Sequence, residues 1–179
     1  MGVRNYLIEG LSGTGKTSVC KELQRRGHHA INGDRELAYQ GDPETGKPTD
    51  RCKHESLATF THEHHIWDVE KVKNLIASHD EPVTFFCGHS RNLAKFMDLF
   101  DGVFVLDADL DTVNRRITER VALDPTDWGA TPAERQLIAR PHQTKEGIPG
   151  SGTTINATRP LRQVVDEILA LSSGRRPSA

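Results

Sequence analysis

The octapeptide Gly10-Leu11-Ser12-Gly13-Thr14-Gly15-Lys16-Thr17 decides how this 179-residue chain folds. It has the form G-x-x-x-x-G-K-[ST]; it follows a short apolar run at residues 3–9 and opens a helical pattern over residues 16–26 that Gly27 ends. Strand, glycine-rich turn and helix are the setting in which such a loop cradles phosphate. Glycines let backbone N–H groups converge on phosphate oxygens, and the positive end of the helix adds to them. Gly10, Ser12, Gly13, Thr14, Gly15 and Ser18 are therefore expected around a nucleotide's phosphates, with Lys16 reaching the β and γ groups and the Thr17 hydroxyl ligating Mg²⁺. Ser18 stands where a dinucleotide fingerprint needs its third glycine, which weakens that reading. Neither D-x-x-G nor N-K-x-D, the further elements of a GTPase, occurs in the sequence, so phosphotransfer of the kinase kind leads.

Around that loop the chain alternates. Residues 28–32, 82–87 (P-V-T-F-F-C), 102–106 and 153–156 are further strand candidates, and residues 111–120 and 161–171 carry helical patterns. Five strands separated by helices imply an α/β fold: a parallel sheet wound by right-handed crossovers, with helices on both faces. Residues 41–60 and 123–142 break the rhythm, being polar and interrupted by Pro and Gly, and long irregular segments inside a compact domain are usually functional loops. The expected organisation is one domain over residues 1–171, with an acceptor-binding insertion at about 36–80, a lid at about 121–140 and a flexible tail at 172–179. Pro125, Gly129 and Pro132 are expected to interrupt any long helix in the lid, which would close over ATP and exclude water.

Composition narrows the partners. Lys and Arg number 23 against 25 Asp and Glu, so there is no basic footprint for nucleic acid. No apolar run approaches the ~20 residues of a membrane-spanning helix, and the expected location is the cytoplasm. Cys20, Cys52 and Cys87 are odd in number and lack paired spacing, which fits reduced thiols. His62-Glu63-His64-His65, with Cys52 and His54 upstream, is neither H-E-x-x-H nor accompanied by C-x-x-C; these residues read as histidines of an acceptor lobe or helix surface, without zinc. Trp67 is either core or a platform for a planar acceptor.

Candidate acceptor-side groups sit where strands end. Asn32-Gly33-Asp34-Arg35 closes the second strand at the sheet edge where ligands bind in open α/β folds. Asp34 is either a base for an acceptor hydroxyl or a holder of Mg²⁺ through water, against the plain alternative of a helix N-cap. Arg91, after the third strand, is either a fork for an acceptor phosphate or carboxylate or a surface residue. Arg116 and Arg120 lie four apart on one helix face at the stem of the lid: either a clamp on the transferring phosphate or a solvated charge face.

Taken together, these residues resemble the adenylate-kinase-like group of P-loop nucleoside and nucleotide kinases, which also includes shikimate and gluconate kinases. Gly33-Asp34 is similar to that family's G-D-x-x-R, and Gly88-His89-Ser90-Arg91 to its G-F-P-R, whose arginine meets the acceptor phosphate. Arg116 and Arg120 resemble its paired lid arginines, and Asn156-Ala157-Thr158-Arg159-Pro160-Leu161 its D-G-T-K-P-V loop that holds adenine. Cys87 stands where the pattern has a metal-linked aspartate, and Leu37 where G-D-x-x-R has its arginine, with Arg35 displaced; these departures point away from an adenylate kinase proper. The lid is short and lacks cysteines, as in short-lid members. The resemblance implies the P-loop NTPase fold, ATP and Mg²⁺ as cofactors, Arg116, Thr158, Arg159 and Pro160 on the nucleotide, and Asp34, Arg35 and Arg91 on the acceptor. It implies a monomeric or homodimeric ATP-dependent phosphotransferase acting on a small molecule, first a nucleoside or nucleoside monophosphate. The alternatives are a kinase of another small alcohol, of shikimate, sugar-acid or antibiotic type, and a nucleotide-binding regulatory ATPase.

Overall fold

Leu7 and Ile8 are fully buried on opposite faces of strand β1 (Arg4–Gly10), and this two-sided burial places the strand inside a sheet covered on both sides. The computed structural model describes residues 3–53 and 55–174, so His54 and most of the tail expected at 172–179 lie outside the described residues. After β1 come α1 (Lys16–Arg25), β2 (His29–Asn32), α2 (Gly33–Glu36), β3 (Ala38–Gln40), α3 (Leu57–Glu63), β4 (His65–Trp67) and α4 (Val69–Ala77). They are followed by β5 (Val83–Cys87), β6 (Gly102–Asp107), α5 (Leu110–Leu123), α6 (Pro132–Thr144), β7 (Thr153–Asn156) and α7 (Leu161–Ser172). The five-stranded sheet is parallel with order β2-β5-β1-β6-β7, and β3 and β4 form a separate antiparallel pair. The chain passes from β5 on one side of β1 to β6 on the other. The crevice at the carboxyl end of β1 is thus the topological switch point. Among the described residues, no helix is long and apolar enough to cross a membrane.

Two cores flank the sheet. On one face Ile8, Phe85 and Leu106 meet Val19 and Leu23 of α1, Val113 and Ile117 of α5, and Val165 and Ile168 of α7. On the other, Leu7, Ile31 and Phe86 meet Leu37, Trp67, Val72 and Phe96. Trp67 is 1% exposed and stacks on Phe96 with ring centroids 5.6 Å apart, so of its two readings it is core.

The sequence expectation fails in the second irregular segment. Pro132 begins α6 instead of breaking it, and the helix runs to Thr144. Thr131 accepts from the Glu134 backbone N–H while the Glu134 carboxylate accepts from that of Thr131, a capping box, and proline at the first helical position gives up an N–H that has no helical partner anyway. Likewise α5 reaches Leu123, past its expected end at Arg120, and Phe60 lies inside α3. Between α5 and α6 only residues 124–131 are irregular.

Gly33 shows how closely the β3–β4 pair is seated on the sheet. A Cβ there would meet Trp67 Cζ2 at 2.1 Å, and the buried, stacked indole has no room to withdraw. Gly33→Ala is expected to cost about 1–3 kcal/mol by overpacking. Chemical denaturation checks this: a lowered midpoint is expected, and an unchanged midpoint would mean that Trp67 is not pinned.

Candidate active site

The phosphate loop is built by backbone conformation. Gly13 (φ +84°) and Gly15 (φ +106°) take left-handed angles that a side chain would strain, so the loop can curl tightly, with the Thr14 N–H donating to the Leu11 carbonyl at 3.2 Å. Lys16 is buried, and its Nζ donates to the carbonyls of Gly10 (2.5 Å) and Leu11 (3.2 Å), folding the ammonium over its own loop. Thr17 and Ser18 are exposed in the first turn of α1, which holds no acidic residue to compete with an anion.

Arg116 ties this loop to the segment after β7, donating to the carbonyls of Thr14 (3.0 Å) and Ala157 (2.7 Å). In that segment both the N–H and the hydroxyl of Thr158 donate to Asn156 Oδ1, while Arg159 bonds the Asn156 carbonyl and pairs with Glu167 ahead of Pro160. Arg120 does not join Arg116. Its guanidinium bonds the Trp128 carbonyl and lies 3.2 Å from Asp127, so it braces residues 124–131. From α6, buried His142 bonds the Ser12 carbonyl through Nε2 (2.9 Å), and burial pushes its pKa down.

Across the crevice, Asp34 Oδ1 accepts from the His89 backbone N–H (2.8 Å) and lies 3.3 Å from His65 Nε2. Burial pushes this carboxyl's pKa up, but the His65 contact, the Lys16 charge and the His89 N–H outweigh it and hold the pKa below the usual carboxylate range. Asp34 is thus ionised near neutrality. Its carboxylate reaches across to the loop after β5, and the short α2 is preceded by Asn32, so the N-cap alternative is not what forms. Arg35 is exposed, away from this contact; its charge adds to the Thr126 hydrogen bonds that hold the Asp124 carboxyl's pKa down.

Arg91 is pinned rather than free: Nε donates to the His62 carbonyl (3.0 Å) and Nη2 to His62 Nε2. Burial, with the charges of Arg91 and of the neighbouring histidines, lowers the His62 pKa to about 4, so its ring is a neutral acceptor for the guanidinium. The same ring lies parallel to Trp128 at 6.3 Å, linking Arg91 to the 124–131 segment. His64 bonds the Gly41 carbonyl, and His65 faces Asp34. The three histidines therefore serve three different partners. Among the described residues no cluster of three or more His, Cys, Asp or Glu suits a metal ion.

Sequence reasoning passed over Glu9. It is 1% exposed; Oε1 accepts from the Gly10 N–H and from His89 Nδ1, both at 2.8 Å, and Oε2 is buried without a partner among the described residues. The available signal was a lone carboxylate closing the apolar run Tyr6-Leu7-Ile8 immediately before the loop. Cys87, at the position where the resemblance places a carboxylate, is fully buried; burial and the Cys20 thiol push its pKa well up, leaving it a neutral thiol.

The AAA domain family matches residues 7–136 of the chain. A gluconokinase from Sinorhizobium meliloti 1021 is similar with a TM-score of 0.52 and 18% identity, over 93% of this chain and 90% of that one. A sugar kinase from Janibacter sp. HTCC2649 is similar with a TM-score of 0.53 and 16% identity, over 96% and 95% of the two chains. No curated protein matches the sequence. At such identities the likeness is one of fold, and the fold is that of P-loop NTPases, an α/β five-stranded parallel sheet flanked by helices.

His62 supplies a check on this geometry. Its ring should titrate with a midpoint of about 4 instead of the ordinary 6.5. The unfolded chain then binds this proton below about pH 6.5 and the folded chain does not until about pH 4, so stability should fall as pH drops through that window. Histidine NMR across pH 3.5–8 reads the midpoint directly; an ordinary value would show the Arg91 pairing to be absent in solution.

Proposed function

The chain belongs to the AAA domain family, and from that membership we propose that it is an ATP-dependent phosphotransferase, a kinase of a small-molecule hydroxyl. The observation that carries the reading is the ionised Asp34 carboxylate facing the buried Lys16 across one crevice, with Arg91 on the adjoining loop. A nucleotide sensor needs the phosphate loop but no such acceptor-side groups. Both a nucleoside-type acceptor and another small alcohol fit the chemistry.

In this reading Lys16 leaves the Gly10 and Leu11 carbonyls for the β and γ phosphates, and the first turn of α1 holds the phosphate oxygens. The acceptor O–H gives its proton to Asp34 as its oxygen bonds to the γ phosphorus, the bond from that phosphorus to the β-bridging oxygen breaks, and ADP leaves. A loose transition state needs little base strength, so a carboxylate of low pKa suffices. Mg²⁺ fits the oxygen donors present: the exposed Thr17 hydroxyl and an Asp34 carboxylate that spends only Oδ1 on protein hydrogen bonds among the described residues. When bound, it would neutralise charge on the phosphates. Arg116 would steady the adenine-side segment, and residues 121–140 would close as a lid carrying Arg120.

Three variants test the assignment by ADP release over a panel of sugar acids, shikimate and nucleosides. Lys16→Ala is expected to abolish turnover with the fold intact. Asp34→Asn is expected to lower kcat by roughly 10²–10⁴. Arg116→Ala should lower kcat more than ATP affinity. Normal turnover in Lys16→Ala, or an Asp34→Asn kcat within about threefold of wild type against the expected loss, would remove the respective role.

A further inference from the structure

One peptide of the phosphate loop, Ser12–Gly13, is held from α6. The carbonyls of Gly10 and Leu11 are taken up within the loop by Lys16 Nζ and the Thr14 hydroxyl, and that of Thr14 by Arg116 of α5. Among the described residues the Ser12 carbonyl has His142 Nε2 as its partner, at 2.9 Å and 130 positions away in the chain. Flipping a peptide turns ψ of the residue before it and φ of the residue after it. Gly13, at φ +84°, lacks the Cβ that would confine φ to one sign, so this peptide can flip unless its carbonyl is held. The His142 ring is 7% exposed. A carbonyl only accepts, so Nε2 carries the hydrogen, and Nδ1 is left with a lone pair, buried and without a partner among the described residues. Burial, with the Lys145 and Lys16 charges, outweighs the Ser12 bond and keeps the ring's pKa below the ordinary value, so the ring is neutral. Burying an imidazole with one nitrogen unpaired costs at least as much as one neutral hydrogen bond returns, and an apolar side chain would avoid that cost. The use of the ring therefore lies in how it holds the loop rather than in packing α6.

The peptide is trans, so the Gly13 N–H points opposite to the Ser12 carbonyl and away from α6, and it has no hydrogen-bond partner among the described residues. We propose that His142 is a positioning residue of the nucleotide site: by holding the Ser12 carbonyl it keeps the Gly13 N–H turned toward a phosphate oxygen of the bound nucleotide. A flipped peptide would set a carbonyl oxygen against that phosphate and replace attraction by repulsion. This deepens the phosphotransferase reading and rests on it for the nucleotide at residues 10–17. The same contact couples α6 to the nucleotide. Whatever the His142 bond adds to nucleotide affinity, the bound nucleotide returns as a firmer hold on α6.

The test is Mg-ADP binding by calorimetry to the whole chain as wild type, His142→Leu and His142→Gln. Leucine keeps the bulk and donates nothing, whereas the glutamine side-chain N–H reaches about as far as Nε2. His142→Leu is expected to lower ADP affinity about tenfold, the worth of one hydrogen bond to a charged group, with Tm unchanged or raised. His142→Gln should recover most of that loss. A second readout needs no variant: in the wild-type ADP complex the Gly13 amide ¹⁵N should show coupling to phosphorus through a hydrogen bond. Hydrogen exchange in α6 should slow on ADP binding in wild type and not in His142→Leu. Wild-type affinity in His142→Leu, a loss of affinity that comes with a fall in Tm and is not restored by glutamine, or a Gly13 amide uncoupled to phosphorus would overturn the positioning role and leave the phosphotransferase reading standing. Protein that binds ADP with this dependence yet phosphorylates no hydroxyl would keep the role and remove that reading, and wild-type protein that binds neither ADP nor ATP would remove both.

Discussion

The carboxyl end of β1 has to serve two opposite charges within a few residues, and the rest of the site is arranged around that constraint. On one side of the backbone the loop from Gly10 to Thr17 must offer positive character to phosphates; on the other, Glu9 buries a negative charge. The conflict is resolved by direction. Leu7 and Glu9 share the face toward α2 and α4, where the Gly10 N–H and His89 Nδ1 take up the carboxylate, while the loop curls toward the start of α1. Because β1 is hydrogen-bonded on both sides, there is no slack at the turn: a Cβ on Gly10 would stand 2.9 Å from the Leu106 carbonyl oxygen.

From that strand the loop after β5 and Asp34 are positioned by short hydrogen bonds rather than by helix packing. Gly88 N–H bonds the Ile8 carbonyl at 3.1 Å, which sets the loop after β5 against β1, and the next residue's N–H reaches Asp34. The segment from Asp124 through α6 meets the same network at two points, His142 on the phosphate loop and Trp128 on His62, whose Nε2 in turn holds Arg91. Phosphate loop, Arg91 and that segment are therefore linked through a few side chains, each of them partly withdrawn from water.

Much of the fold was legible because its signals are local. The glycine pattern at 10–15, the β-branched and aromatic runs and the terminating Gly27 each dictate their own element, and the boundaries of the five sheet strands fall within a residue or two of the sequence reading, whereas the three-residue strands β3 and β4 carried no such signal. Pro132 misled because proline breaks a helix in its interior and starts one at its first turn, and only Thr131 with Glu134 tells the two apart. That Asp34 and Arg91 follow strand ends on neighbouring loops was legible, since sheet topology alone brings strand ends together. It was not legible for Glu9, His62 and His89. Their roles arise from partners 80, 29 and 55 positions away, and no periodicity in a single sequence encodes such pairings. Arg116 and Arg120 show the same limit, for helical spacing put them on one face without telling that the Trp128 carbonyl would claim the second.

Transfer of a phosphoryl group to a hydroxyl, as opposed to its release to water, is read most plainly by ³¹P NMR of wild-type protein with Mg-ATP, recorded with and without a mixture of small hydroxy acids and nucleosides. A phosphotransferase should show the γ resonance of ATP declining in step with a new phosphate monoester only when the mixture is present. Growth of inorganic phosphate alone, at the same rate with and without the mixture, would mean that the crevice hydrolyses ATP and transfers nothing.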